Sequence, residues 1–199
     1  MKSYKFEDLN LAARIKKGAV GILPTDTLYG IVGRAESKEA VKKIYNLKDR
    51  NSQKPFIILI GALLDLQKFD IKPDEKTKKF LSQIWPGKIS VILPCQDKKF
   101  EYLHRKKKSL AFRLPAYKNL MALIKKTGPL VAPSANPEGQ KPAETIKEAK
   151  NYFKQAVNFY VAGGRLQGAL STIVEIKKGK ISLVREGKLN KKLKKLILK

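Results

Sequence analysis

Four short apolar runs, each cut off by proline or glycine, limit what this chain can fold into. "AVGILP" (19–24), "PFIILIG" (55–61), "KISVILP" (88–94) and "SLAFRLP" (109–115) carry the signature of buried strands. Helical spacing fills the gaps between such runs. "FEDLNLAARIKKG" places Leu9, Ala12, Ala13 and Ile15 on one face and offers Gly18 as a stop. Further helices are expected over 37–48, capped by Ser37, over 73–85, begun by proline, and over 116–127 and 143–154. A short strand inside "GPLVAPSANPEGQKP", another near 157–161, and a hairpin of "LSTIVEI" with "KISLVRE" complete the set. "TDTLYGIVGRA" reads as a polar connection punctuated by glycines. Alternating strands and helices predict an α/β domain, three-layered or open-sheeted, with mixed strand pairing.

At 199 residues, 43% of them hydrophobic, the chain suits one domain with a real core. Its formal charge of +26 predicts attraction to polyanions such as RNA, DNA or a nucleotide. Cys95 is alone, which excludes a disulfide framework and a cysteine zinc site. His104 is the single histidine, so no histidine metal cluster can form; within "YLHRKKK" it reads as a structural or solvent-facing loop residue. The opening "MKSYKFEDLN" is polar and the run near 19–23 is too short to span a bilayer, so no membrane contact and a cytoplasmic location are expected. "KLNKKLKKLILK" at the end places Leu189, Leu193 and Ile197 at helical spacing. It reads as a C-terminal helix packed by its leucines, with RNA or membrane contact as the alternative.

Lysine is the default cation here, since only seven of 43 Lys+Arg residues are arginine. Arginine therefore points to places where a planar fork must hold phosphate or carboxylate. Arg50 sits in "KDRNSQKP" with Lys48 and Lys54, while Arg113 and Arg185 end strands that run into loops. Strand ends are where open α/β sheets place ligand groups; surface ion pairing is the competing account. "PTDTLYG" supplies hydroxyls from Thr25, Thr27 and Tyr29, and "APSANPEG" supplies Ser134 and Asn136. Neither a phosphate-binding GxxxxGK[ST] loop, nor GxGxxG after a strand, nor HExxH occurs. An enzyme with these residues works by positioning polyanionic reactants and stabilising charge, not by a histidine relay.

Taken in order, "PTDTLYG", "KDRNSQKPFIIL", "WPGKISVIL", "FRLP", "GPLVAPSANPEG" and "STIVEI…LVREG" resemble the motif set of the YrdC/TsaC family, from about residue 10 to 187. The resemblance implies a twisted open mixed sheet of the YrdC-like type with a basic concave face. It implies a YrdC-like domain over 1–187 and a basic tail over 188–199. The implied activity is synthesis of threonylcarbamoyl-adenylate and pyrophosphate from L-threonine, bicarbonate and ATP, with magnesium carried mainly by the ATP. The product would feed N6-threonylcarbamoylation of tRNAs reading ANN codons, through a downstream tRNA threonylcarbamoyl-transferase complex. By the same resemblance, Lys48, Arg50 and Lys54 would clamp the ATP phosphates as the catalytic cations. Ser109, Ser134 and Asn136 would line the nucleotide site, Asn136 near the magnesium-triphosphate, and Arg185 would close on the nucleotide. Thr27, Tyr29, Arg113, Ala132 and Ser171 would surround threonine, Arg113 pairing with its carboxylate. The chain departs from relatives at Lys88 and Ser90, at Leu59, where some have histidine, and at Pro142, where some have an ATP-facing serine. The alternatives are a non-catalytic protein binding tRNA or double-stranded RNA, and a paralogue acting on another small amine or acid.

Overall fold

The computed structural model describes residues 3–6, 8–51, 53–187 and 191–197. In chain order the elements are β1 (Ser3–Tyr4), α1 (Leu9–Lys16), β2 (Gly21–Pro24), β3 (Tyr29–Arg34), α2 (Lys38–Lys48) and β4 (Ile57–Leu59). After a 3₁₀ segment, Leu63–Phe69, come α3 (Glu75–Ile84), β5 (Ile89–Pro94), α4 (Glu101–His104), β6 (Ser109–Arg113), α5 (Lys118–Thr127) and β7 (Leu130–Val131). The chain continues through α6 (Ile146–Phe153), β8 (Phe159–Val161), β9 (Thr172–Lys177), β10 (Lys180–Arg185) and α7 (Lys191–Ile197).

The ten strands of the described residues join one sheet in the order β1-β8-β2-β3-β7-β4-β6-β5-β9-β10, with parallel and antiparallel neighbours mixed. The pleat sends adjacent residues to opposite faces. Ile22, Ile31, Ile58 and Val131 enter one core with α2, α3 and α6, while Leu23, Val32, Leu59 and Leu130 enter a second with α1 and α5. Two apolar faces, each covered by helices, make the three layers.

Local chemistry accounts for the helix ends. Ser37 caps α2 by accepting from the Ala40 amide at 3.1 Å. Gly18, at φ +90°, follows the end of α1 where an L side chain would be strained. The helix expected from Pro73 begins at Glu75 instead, because Asp74 accepts from the Thr77 amide at 2.7 Å and takes the capping position.

Two expectations are corrected. "TDTLYGIVGRA" contains strand β3 rather than a simple connection, and its Gly33 is where α2 packs closest: a Cβ there would meet Ala40 and Ile44, both at 3.1 Å. Of the two readings of His104 the structural one holds, but it sits at the end of α4 rather than in a loop, buried, with its Nε2 3.3 Å from the Asp97 carbonyl. In α7, Leu193 and Leu196 pack against the first core; Leu189 and the side chain of Ile197 lie outside the described residues.

Candidate active site

A turn of hydroxyls starts the site. Pro24 ends β2, and Thr25 then organises the next three residues: its Oγ1 accepts from the amides of Thr27 (3.1 Å) and Leu28 (3.2 Å) and donates to the Leu28 carbonyl at 2.8 Å. The Thr25 and Thr27 hydroxyls lie 2.9 Å apart, so the same turn also fixes where the Thr27 hydroxyl stands. Thr27 lines the cavity and offers it a hydroxyl able to donate or accept.

That cavity, of about 170 Å³, opens at the ends of β4 and β6 and gathers segments from across the chain. Thr27, Tyr29, Arg50, Arg113, Ala132, Ser134, Ser171 and Arg185, eight of the residues singled out from sequence, line it together. Arg50 lies just past the end of α2, where Asp49 turns the backbone into the left-handed region at φ 48°. Its Nε donates to the Lys54 carbonyl at 3.3 Å, an oxygen that also accepts from the Tyr45 hydroxyl at 2.9 Å. Arg50 itself lines the cavity.

Arg113 is held differently. It is buried and ion-paired to buried Asp26, whose second oxygen accepts from the Ala116 amide at 3.1 Å. The guanidinium is thus already matched by a carboxylate of the protein itself. Ser134 is placed by backbone: Ile31 donates to the Pro133 carbonyl at 2.9 Å and Ala135 to the Tyr29 carbonyl at 2.8 Å, extending the β3–β7 ladder past its last pair. Ser171 shares a 3.0 Å hydroxyl contact with Ser90, and Arg185 forks onto the Ser171 carbonyl at 3.1 and 2.8 Å. Burial holds the Arg185 guanidinium below its ordinary pKa. Ser90 departs from the family pattern but still presents a hydroxyl, directly behind Ser171.

Tyr29 lines the cavity with its ring, but its hydroxyl is fully engaged. It donates to the Gly164 carbonyl at 2.8 Å and accepts from the Gly163 amide at 2.9 Å. This ties down the start of the segment 162–171 that crosses the site. Further along that segment Gly168 presses on Thr27: a Cβ at Gly168 would stand 1.7 Å from the Thr27 carbonyl oxygen. Backbone cannot yield as a flexible side chain does, so Gly168→Ala should displace the segment from Thr27. We expect any ligand that reaches Thr27 to bind at least tenfold more weakly, as read by titrating the variant beside the original chain.

Five predicted residues are not in the cavity wall. Lys48 is buried beneath it, its ammonium donating to the Ser134 carbonyl at 2.6 Å and to that of Asn136. Its role in the structure is to hold the 134–136 loop, not to face solvent. Burial, reinforced by neighbouring Arg50, lowers its pKa from 10.5 to about 8. Lysine-selective NMR titration should therefore show one ammonium losing its proton near pH 8, and Lys48→Met should remove that signal. Because the folded pKa lies below the unfolded one, the unfolded chain binds the extra proton between those values, and stability rises with pH across pH 8–10.5.

Lys54 is exposed and ion-paired to Glu138 at 2.5 Å. Asn136 is buried, its amide donating to the carbonyls of Pro137 and Gln140, both at 2.8 Å, while its Oδ1 has no partner. Ser109 opens β6 opposite Pro94, four residues or roughly 13 Å from the cavity end at Arg113. Pro142 is half-buried away from the wall. Leu59, in place of a histidine, is buried in the second core.

Three contributors were not singled out from sequence: Asp26, Glu138 and Phe56. Asp26 had a signal, a carboxylate between two threonines just after a strand. Glu138, which joins Lys54 and the Asn51 amide at 2.7 Å, and Phe56, which supports Arg50, had none.

The fold and site together define an α/β protein whose mixed sheet opens a cationic, hydroxyl-lined hollow suited to small anions. The family model described as "Telomere recombination" (Sua5/yciO/yrdC) matches residues 13–187, and the chain belongs to that family. It is 37% identical over 139 residues to the threonylcarbamoyl-AMP synthase of Bacillus subtilis, covering 69% of this chain and 40% of that protein. Against the Pyrococcus abyssi threonylcarbamoyl-AMP synthase it is 27% identical over 178 residues, covering 88% of this chain and 52% of the relative. The chain thus spans about half the length of these two relatives. Among solved structures, P. abyssi Sua5 complexed with L-threonine superposes with a TM-score of 0.86 at 27% identity, over 94% of this chain and 56% of that one. Escherichia coli YciO, at 23% identity and a TM-score of 0.80 over 91% and 89%, shares the fold.

Proposed function

We propose that this chain is an L-threonylcarbamoyladenylate synthase, joining L-threonine, bicarbonate and ATP into threonylcarbamoyl-AMP with release of pyrophosphate. The observation that carries this reading is the convergence of Arg50, Arg113 and Arg185 with the hydroxyls of Thr27, Ser134 and Ser171 in one hollow. The threonylcarbamoyl-AMP synthases among its relatives, and the L-threonine complex of the P. abyssi structure, support the choice of substrates.

The chemistry suits the residue types. Threonine's amine and bicarbonate give a carbamate and water; a carbamate oxygen then attacks the α-phosphorus as the bond to pyrophosphate breaks. Both partners are anions, so catalysis amounts to holding them together against their repulsion. Thr27 offers its hydroxyl to the amino acid, Arg50 presents its guanidinium to the phosphates, and Ser134 and Ser171 supply hydroxyls between them. No protein nucleophile is needed.

The buried, unpartnered oxygen of Asn136 is a hard donor of the kind magnesium takes. Asn136 stands outside the cavity wall, however, so a magnesium ion would be carried by the triphosphate itself, where it would neutralise phosphate charge.

The product would serve tRNA threonylcarbamoylation in the cytoplasm; among the described residues no helix is long and apolar enough to cross a membrane. The test follows pyrophosphate from pure protein, ATP, magnesium, bicarbonate and single amino acids. Release that needs both threonine and bicarbonate is expected. Release with another amino acid would indicate the paralogue, and none with any, beside tight RNA binding, the non-catalytic protein.

A further inference from the structure

Arg50 faces two hollows. Besides the site above, it lines a second cavity of about 460 Å³ on the outer side of α2, together with Lys38, Lys42, Arg105, Tyr102 and Asp49. A wall of stacked side chains separates the two. The Arg105 guanidinium lies 4.1 Å from the centre of the Tyr45 ring, Tyr45 stacks on Phe56 at 4.0 Å and 23°, and Arg50 covers Phe56 at 5.4 Å.

The second cavity is built for negative charge. Four cations stand in its wall against the single carboxylate of Asp49. Among the described residues none of the four is ion-paired, although acidic partners are taken up by cations elsewhere on the surface. Glu36 and Glu39 lie within electrostatic range of Tyr102 but not in the cavity wall. The Arg105 Nε is buried without a partner. Arg105 also begins the cationic turn "RKKK", in which Arg105, Lys106 and Lys108 all hold positive φ, at 50°, 65° and 54°. Non-glycine residues rarely adopt that region, and strain of this kind gathers at functional sites.

We infer that this cavity is a second anion site, taking a short polyphosphate chain through Lys38, Lys42, Arg105 and the far side of Arg50. The volume suits a small molecule rather than a long strand, and four cations against one carboxylate leave more positive charge than a monoanion balances. Free pyrophosphate and the phosphate chain of a nucleotide share this chemistry. Because Arg50 belongs to both walls, an anion in the outer cavity competes for the group that the inner site uses, and the two sites are coupled. The link to catalysis rests on the proposed function; the binding site does not.

The experiment is calorimetric titration of the whole protein with inorganic pyrophosphate and, in a separate arm, with ATP. The original chain should bind two equivalents of pyrophosphate. Lys38→Ala/Lys42→Ala should lose one equivalent or weaken it at least tenfold, and keep the other. Both lysines are exposed on α2, so melting should be unchanged; Lys38→Arg/Lys42→Arg should keep both equivalents. A second equivalent of ATP would extend the site to nucleotides, and its absence would restrict it to the free chain. One equivalent in both proteins, two that ignore the substitutions, or none at all would overturn the outer site. Only a lysine-dependent equivalent would leave the outer site standing and remove the catalytic reading.

Discussion

Replacing Asp26 with alanine should lower stability by about 3–5 kcal/mol, since it leaves the buried Arg113 charge without its partner. At this chain length that corresponds to a drop in melting temperature of roughly 6–20 °C. The size follows from burial: the side chains of Arg113 and Asp26 are only 5% and 6% exposed, so water cannot replace the lost carboxylate. Alanine also frees the Ala116 amide that Asp26 accepts from. Adding Arg113→Met to Asp26→Ala should recover much of the loss, because the double variant removes the charge as well as its partner. Urea midpoints for the four proteins of this cycle measure it. A single variant within about 1 kcal/mol of the original chain would mean that the pair is better solvated than its geometry indicates.

Arg50→Lys should reduce kcat/KM for pyrophosphate release by about 10²-fold, roughly 2.7 kcal/mol of transition-state stabilisation. Formally it is a conservative change. Yet lysine has no Nε branch to donate to the Lys54 carbonyl, and no planar group to lie over Phe56 while a second edge meets phosphate. Lys195→Arg, at an exposed position on α7, should leave the rate unchanged. Similar small effects from both substitutions would remove Arg50 from the phosphate clamp.

The elements legible in the sequence were those whose neighbours agree locally. "GILP" is buried on both faces, and "ISVIL" is buried on one face and over most of the other, so both show as near-continuous apolar runs. β3 was hidden because Gly30 and Gly33 mark turns when met in sequence, whereas here they mark close approach, Gly33 to α2 and Gly30 to Thr25 and the Pro133 carbonyl. The candidate site was legible in its residue types more than in its contacts. That arginine is scarce pointed to Arg50, Arg113 and Arg185, which do meet in one cavity. What Arg113 touches could not be read, because Asp26 lies 87 residues away. Lys48 shows the same limit. Its place in a cationic cluster suggested phosphate, but the carbonyls that claim it come from residues 134 and 136. Those partners exist only once the sheet has formed.

The strand order has a consequence for how the protein is made. β9 lies parallel beside β5 and brings Ser171 to the cavity, and Arg185 comes from β10, the most C-terminal strand among the described residues. Until the segment from Ser171 to Arg185 has left the ribosome, the hollow lacks one whole side. A nascent chain therefore cannot be rescued early by ligand, and pairing across such long separations is slow.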